Sequence, residues 1–258
     1  MSELLEPFER MLASVAGRDV APDTRWQAIE DSGYLDALVP EVAGGAGLTL
    51  GDVEPLIRAL GRYAISEPVA QTMAARGLLT ERDSIAPSGP VTLARALPAT
   101  DHTRALSAVL AVVEIAGLAE KILEMSLSYA NDRIQFGKPI GKLQAIQQQL
   151  AVMGEQVLMT RMAAQIGCAQ GLKPALTIAA VAKQVASAAV PQIAAIAHAV
   201  HGAIGITEGF DLQLYSRRMH ALRLAEGSES FWAGILGKAR LEAGGQSSVD
   251  FIRALRRP

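Results

Sequence analysis

Three places in this 258-residue chain carry side chains whose types and spacing could do chemistry. The first is Arg133-Ile-Gln-Phe-Gly-Lys-Pro-Ile-Gly-Lys-Leu-Gln144, set between two long apolar stretches. Helix connections are usually short and polar, so a basic residue, an aromatic and a Gly-Lys-Pro turn there need a reason. A guanidinium pairs bidentately with a pyrophosphate better than an ammonium does, which makes Arg133 a candidate anion contact. The plain alternative is a salt bridge to Asp132 or a contact with the helix end, worth little when exposed. The second place is His201-Gly-Ala-Ile-Gly-Ile-Thr-Glu208. Glycines at a helix C-terminus permit close backbone approach; a helix stop explains Gly202 but not the whole string. His198 and His201 lie three apart with no third ligand at a matching spacing, so no metal site is expected. The third is Glu226-Gly227-Ser228, downstream of Leu214-Tyr-Ser-Arg217. A carboxylate in a dry site holds its proton more tightly and can serve as a general base. A surface Glu at a helix N-terminus, favoured by the dipole, is the simpler reading of the same residue.

The elements that must position these residues are helical. Thr24-x-x-Gln27 reads as a capping box for a helix through Trp26 and Ile29 that stops near Gly33. Leu38 to Leu48 is a glycine-rich turn; Gly44-Gly-Ala-Gly47 lacks the preceding strand and following Lys-Ser/Thr of a phosphate cradle. Thr49-x-x-Asp52 caps a second helix with Val53, Leu56, Ile57 and Leu60 on one face, and Pro68 begins a third that runs to about Gly77. From about Thr80 to Asp101, Asp83, Pro87, Gly89, Pro90 and Pro98 break any helix, with Val91 to Leu97 a possible short extended piece. Apolar residues at spacings of three and four then predict helices at about 103–131, 142–170, 174–201, 212–240 and 248–256. Pro191 should kink the third of these.

Composition agrees. Half of the chain is apolar, only 4% is aromatic and 19% is charged, which suits packed helices better than strands. Helices that are apolar all round must be covered, so an oligomer is expected. A net charge of −2 gives no electrostatic case for a nucleic-acid partner; the tail Arg253, Arg256, Arg257 is short. Ala105–Leu123 and Ile178–Val200 contain Glu114, Glu120 and Lys121, and Lys183, and are read as buried helices, not membrane spans. The single cysteine, Cys168, and a start without a basic, apolar leader fit a reducing, cytoplasmic setting.

The string R-x-Q-F-G-x-P-I with a Gln eleven residues after the Arg resembles the signature of the acyl-CoA dehydrogenases, flavoproteins that desaturate acyl-CoA thioesters. Trp26, Asp31-Ser-Gly-Tyr-Leu35, Val39-Pro-Glu-x-x-Gly-Gly-x-Gly-Leu48 and Leu60-Gly-Arg62 resemble their N-terminal helical domain. His201 to Thr207 is similar to the family's glycine turn, which approaches the adenylate half of FAD in the neighbouring subunit. Glu226 falls where the family often carries its catalytic base. The resemblance implies FAD contacts at Arg133, Gln135, Phe136, Gly137, Gln144, His201, Gly202, Ala203, Gly205, Ser228 and Ser230. It also implies an acyl-CoA substrate and an electron-transferring flavoprotein as acceptor.

The chain departs from that family in one large respect. Members place a β-domain of about one hundred residues between their helical parts, within the usual domain range. Here only a short linker stands in that place. Ala199 stands where Gln is frequent, and Arg217-Arg218 where Arg-Asp is frequent. These features look like a branch in which unlike subunits build one active site together. The expectation is therefore an all-α fold with the middle β-domain deleted: an N-terminal helical domain over 1–79, a linker over 80–102 and a C-terminal four-helix-type bundle over 103–258. The implied function is FAD-dependent α,β-dehydrogenation, by a homo-oligomer or with a full-length partner; the alternative is a non-catalytic subunit that completes a partner's cofactor site and binds no flavin alone.

Overall fold

The computed structural model describes residues 2–81 and 88–255. Four helices open the chain: α1 (Ser2–Val15), α2 (Pro22–Asp31), α3 (Leu50–Arg62) and α4 (Val69–Thr80). Asp83 and Pro87, and at the other end Arg256 and Arg257, fall outside the described residues. A single helical turn, α5 (Leu93–Ala96), precedes the long helices α6 (Asp101–Asp132), α7 (Gln144–Cys168) and α8 (Leu176–His201). Shorter helices α9 (Leu212–Leu224), α10 (Glu229–Glu242) and α11 (Ser248–Leu255) complete the order. The only strands among the described residues are β1 (Ile134–Gln135) and β2 (Lys138–Pro139), a minimal antiparallel pair between α6 and α7. The fold is all-α, and among the described residues no middle β-domain intervenes between α4 and α6.

α6 is the axis of the molecule. Its 32 residues span about 48 Å at 1.5 Å per residue, and an unbroken run from Ala105 to Ala119 is buried. A helix covered on all sides can be apolar on all sides; α3, α7, α8 and α9 supply the cover. Against α3 the approach is backbone to backbone. A Cβ on Gly117 would sit 1.9 Å from the Arg58 carbonyl oxygen, and one on Gly61 would sit 2.2 Å from that of Glu114. One hydrophobic core runs from Phe8 and Leu12 in α1, through Leu56 and Ile57 in α3, to Trp232 in α10.

Several local expectations need correction. α2 has no Thr24 capping box: it begins three residues earlier, with Ala21 as its N-cap and Pro22 at its first position, because proline's missing N–H costs nothing there. The Thr49/Asp52 box does form, and an unexpected one, Thr100/Thr103, starts α6. Val91 to Leu97 is not extended throughout, since Leu93–Ala96 is a helical turn. It is moored to α4, where Thr72 Oγ1 accepts from the Val91 amide at 3.1 Å and Gln71 Oε1 from that of Leu93 at 3.1 Å. The helix expected over 212–240 is two helices, broken at Ala225–Ser228 by left-handed backbone at Glu226 (φ 61°) and Gly227 (φ 109°). α8 continues through Pro191. By length and composition Leu176–Ile206 is apolar enough to cross a membrane, contrary to the sequence estimate; here it packs against α6, α7, α9 and α10.

Candidate functional site

The first cluster forms where α6 ends and α8 ends. Arg133 caps α6, its N–H donating to the Tyr129 carbonyl at 2.9 Å. The chain then folds into the β1–β2 hairpin, pairing Ile134 with Pro139 and Gln135 with Lys138. Phe136 and Gly137 form the two-residue turn, both with positive φ (52° and 74°). That is the type I′ geometry whose twist matches the strands and which normally selects Asn-Gly. A phenylalanine in the left-handed region is uncommon, and this one is 87% exposed. The Arg133 guanidinium has no ion-pair partner among the described residues; Asp132 instead accepts from Ser128 Oγ at 3.2 Å.

Across from the hairpin lies the end of α8. His201 stacks on Tyr129, with ring centroids 4.6 Å apart. Its Nδ1 donates to the Ala197 carbonyl at 2.8 Å. Burial lowers its pKa below the ordinary imidazole value, partly opposed by the backbone carbonyls of Ala197 and Met125. Nε2 is buried without a hydrogen-bond partner among the described residues. Gly202 adopts φ 63°, ψ −144°, a conformation near the glycine-only region, and a Cβ there would meet nothing within 4 Å. Between the two walls is a cleft of about 440 Å³ lined by Tyr129, Arg133, Gln135, Leu143, His201 and Gly202, among others. That volume lies within the range of about 300–1,000 Å³ for small-molecule sites. Arg133, Gln135, His201, Gly202 and Ala203 thus share one cleft. Gly205 is packed beneath it, against His201 and Leu212. Gln144 is exposed at the start of α7, and Phe136 and Gly137 stand out from the cleft at the hairpin tip.

The second cluster is at the α9–α10 break. Glu226 and Ser228 are half-buried and Ser230 is exposed. Beneath the break, Lys183 of α8 is fully buried. Its ammonium donates to the carbonyls of Leu222 (2.9 Å), Arg223 (2.7 Å) and Gly227 (3.3 Å) and to Ser187 Oγ (3.0 Å). Burial pushes its pKa down to about 8, partly opposed by Glu229 and Glu226. Arg223 spans the break to Glu229, with Nε donating to Oε2 at 3.1 Å. Lys183 and His201 lie on one helix, so the two clusters stand about 27 Å apart along its axis at 1.5 Å per residue.

Three features escaped the sequence reading. Tyr129 stands four residues before Arg133, hence on the same helix face, and that spacing was the available signal. Lys183 is a lone cation in an otherwise apolar helix. The Glu114–Arg218 ion pair, at 2.8 Å between α6 and α9, joins two residues 104 apart and left no local trace. His198 and His201 do not converge: His198 Nε2 bonds Ser216 Oγ at 3.1 Å, while His201 turns to Ala197. No group of three metal-ligating side chains occurs among the described residues.

The family described as acyl-CoA dehydrogenase, C-terminal domain, matches residues 93–241. The chain belongs to the acyl-CoA dehydrogenase family, as a divergent member without the middle β-domain. It is 27% identical over 270 residues to the acyl-CoA dehydrogenase IpdE2 of Mycobacterium tuberculosis, an alignment covering 81% of this chain and 83% of IpdE2. Against the short-chain specific acyl-CoA dehydrogenase of Megasphaera elsdenii it is 32% identical, but the match covers only 33% of that enzyme. In fold it is similar to a chain of the ChsE4–ChsE5 complex from Mycobacterium tuberculosis, with a TM-score of 0.70 at 17% identity over 95% of this chain and 98% of that one.

Proposed function

We propose that this chain is one subunit of an FAD-dependent acyl-CoA dehydrogenase whose cofactor sites are completed between chains. The observation that carries this is the separation of the two clusters to opposite ends of α8. An anion cleft at one end and a carboxylate at the other serve a single dinucleotide poorly within one chain. They suit two sites at two contacts between subunits.

The cleft residues fit the diphosphate and adenylate half of FAD. Arg133 is a free bidentate donor, Gly202 presents an open backbone face, and His201 Nε2 is buried without a hydrogen-bond partner among the described residues. The two-residue strands of the β1–β2 hairpin are the only sheet among the described residues and are too short to wall the flavin ring, so that wall would come from a full-length partner. Bound FAD supplies the acceptor for the β-hydride. Glu226, as carboxylate, would take the acidic α-proton of the thioester, with Ser228 and Ser230 beside it at the start of α10. An electron-transferring flavoprotein is the proposed electron acceptor.

The missing ring-binding wall also favours a second reading, in which the partner supplies the base and this chain only completes the cofactor site. The absorbance of the purified chain, alone and mixed with its partner, tests the assembly: a flavin band that appears only in the mixture is expected. Bleaching by an acyl-CoA without oxygen tests the dehydrogenation. A chain that neither gains flavin in the mixture nor alters the partner's turnover would overturn both readings.

A further inference from the structure

The Glu226 loop is held from below by a residue to which neither the motifs nor the matched family assigns a role in this chain. α9 ends at Leu224, and the last carbonyls of any helix lack intrahelical partners. Those of Leu222 and Arg223 face buried Lys183. The same ammonium reaches past the helix end to the Gly227 carbonyl. Ser187, one turn along α8, accepts from Lys183 and donates to the Arg223 carbonyl at 3.3 Å. One cation thus gathers three carbonyls on either side of Glu226. Glu226 needs such restraint: a non-glycine residue at φ 61° is strained and persists only where its surroundings over-determine it.

We propose that Lys183 is a positioning residue for the Glu226 base, its ammonium gathering the Leu222, Arg223 and Gly227 carbonyls so that the loop presents the carboxylate in one orientation. The proposal rests on the reading of Glu226 as base. It makes Lys183 more than a helix cap, because the Gly227 contact lies beyond the helix and next to the reacting group. Charge matters as well as shape. A methionine fills similar volume but leaves the carbonyls buried and unmet, and buried unmet acceptors are costly.

The test compares wild type, Lys183→Met, Lys183→Gln, Ser187→Ala and Glu226→Gln, each as the full chain with its co-purified partner. Hydrogen exchange reports the loop, and steady-state turnover uses butyryl-CoA and longer straight-chain thioesters, with and without α-deuterium. For Lys183→Met we expect amides 225–229 to exchange at least about tenfold faster while α6 keeps its protection. We also expect kcat to fall with KM nearly constant, and a larger α-deuterium effect as proton abstraction becomes limiting. Lys183→Gln, which keeps two donors, should recover part of the rate. Ser187→Ala should show the same changes more weakly, and it carries the test if Lys183→Met does not fold. Unchanged loop exchange, or an unchanged kcat and isotope effect beside a clear loss in Glu226→Gln, overturns the positioning role alone. An unaffected Glu226→Gln, or no turnover by the wild-type complex, overturns the base assignment and this proposal with it.

Discussion

Glu114 of α6 and Arg218 of α9 meet at 2.8 Å, with the carboxylate almost wholly removed from water. Arg218 is the residue that stands where relatives were expected to carry an acid after the Arg. In this chain the extra arginine finds its counter-charge inside α6. Breaking a buried pair from one side leaves an uncompensated charge, which costs about 3–5 kcal/mol. Arg218→Met should therefore lose that much in urea denaturation. The double variant Glu114→Met/Arg218→Met should regain most of it. Burial raises the Glu114 pKa above its ordinary 4.5, against the pull of Arg218. A raised folded-state pKa contributes stability below the unfolded value and loses it as pH rises through the folded one. The wild type should thus lose ground to Glu114→Gln as pH climbs from about 4.5. A gap that widens in the opposite direction would refute this assignment.

Arg133 is exposed and without an ion pair among the described residues, so Arg133→Ala should leave thermal stability within about 0.5 kcal/mol. Charged hydrogen bonds are worth about 1.5–3 kcal/mol, so the assembled complex should bind FAD or ADP roughly tenfold to a hundredfold more weakly. Calorimetric titration checks it, and equal affinity would remove Arg133 from the anion site.

Phe136 holds a backbone conformation that suits asparagine far better. Phe136→Asn should stabilise the hairpin by up to about 1 kcal/mol, since bulky residues pay that much in the left-handed region, and raise Tm by about 2–4 °C. If the exposed ring is kept for a partner or cofactor, the same variant should assemble or retain flavin less well. A variant that is more stable and equally competent in both would show the ring to be dispensable.

Glu226→Gln should fold and retain any bound flavin, because the left-handed loop does not depend on the carboxylate charge. Loss of a general base commonly lowers the rate by about 10²–10⁴-fold. Anaerobic flavin bleaching by an acyl-CoA measures the step directly. If this chain only completes a partner's site, the variant should bleach at the wild-type rate.

Periodicity made the long helices legible, because α6, α7 and α8 bury apolar residues at regular spacing and end at glycines or polar turns. The cleft between the ends of α6 and α8 was legible for a different reason: Arg133 and the His201 turn each stand out through local chemistry, and the fold brings them together. What periodicity could not show was the α9–α10 break. Met219 and Trp232 keep their apolar spacing across it, and only backbone dihedrals at Glu226 and Gly227 reveal the interruption. Nor could it show Lys183 as part of a site. A lone lysine in an apolar helix reads as a polar exception until the fold brings three carbonyls from 39 to 44 residues away.

The glycine seam between α3 and α6 bears on how anything enters this molecule. With Gly61 and Gly117 letting the two backbones touch, no layer of side chains lies between them to slide or re-pack. The N-terminal helices cannot hinge away from α6 in small steps; they must stay seated or separate entirely. Under the proposed function a long acyl chain would therefore gain no passage by parting them. On that reading its route would run along the rims of the bundle, on the faces that a neighbouring subunit would cover, so assembly would set substrate access as well as cofactor retention.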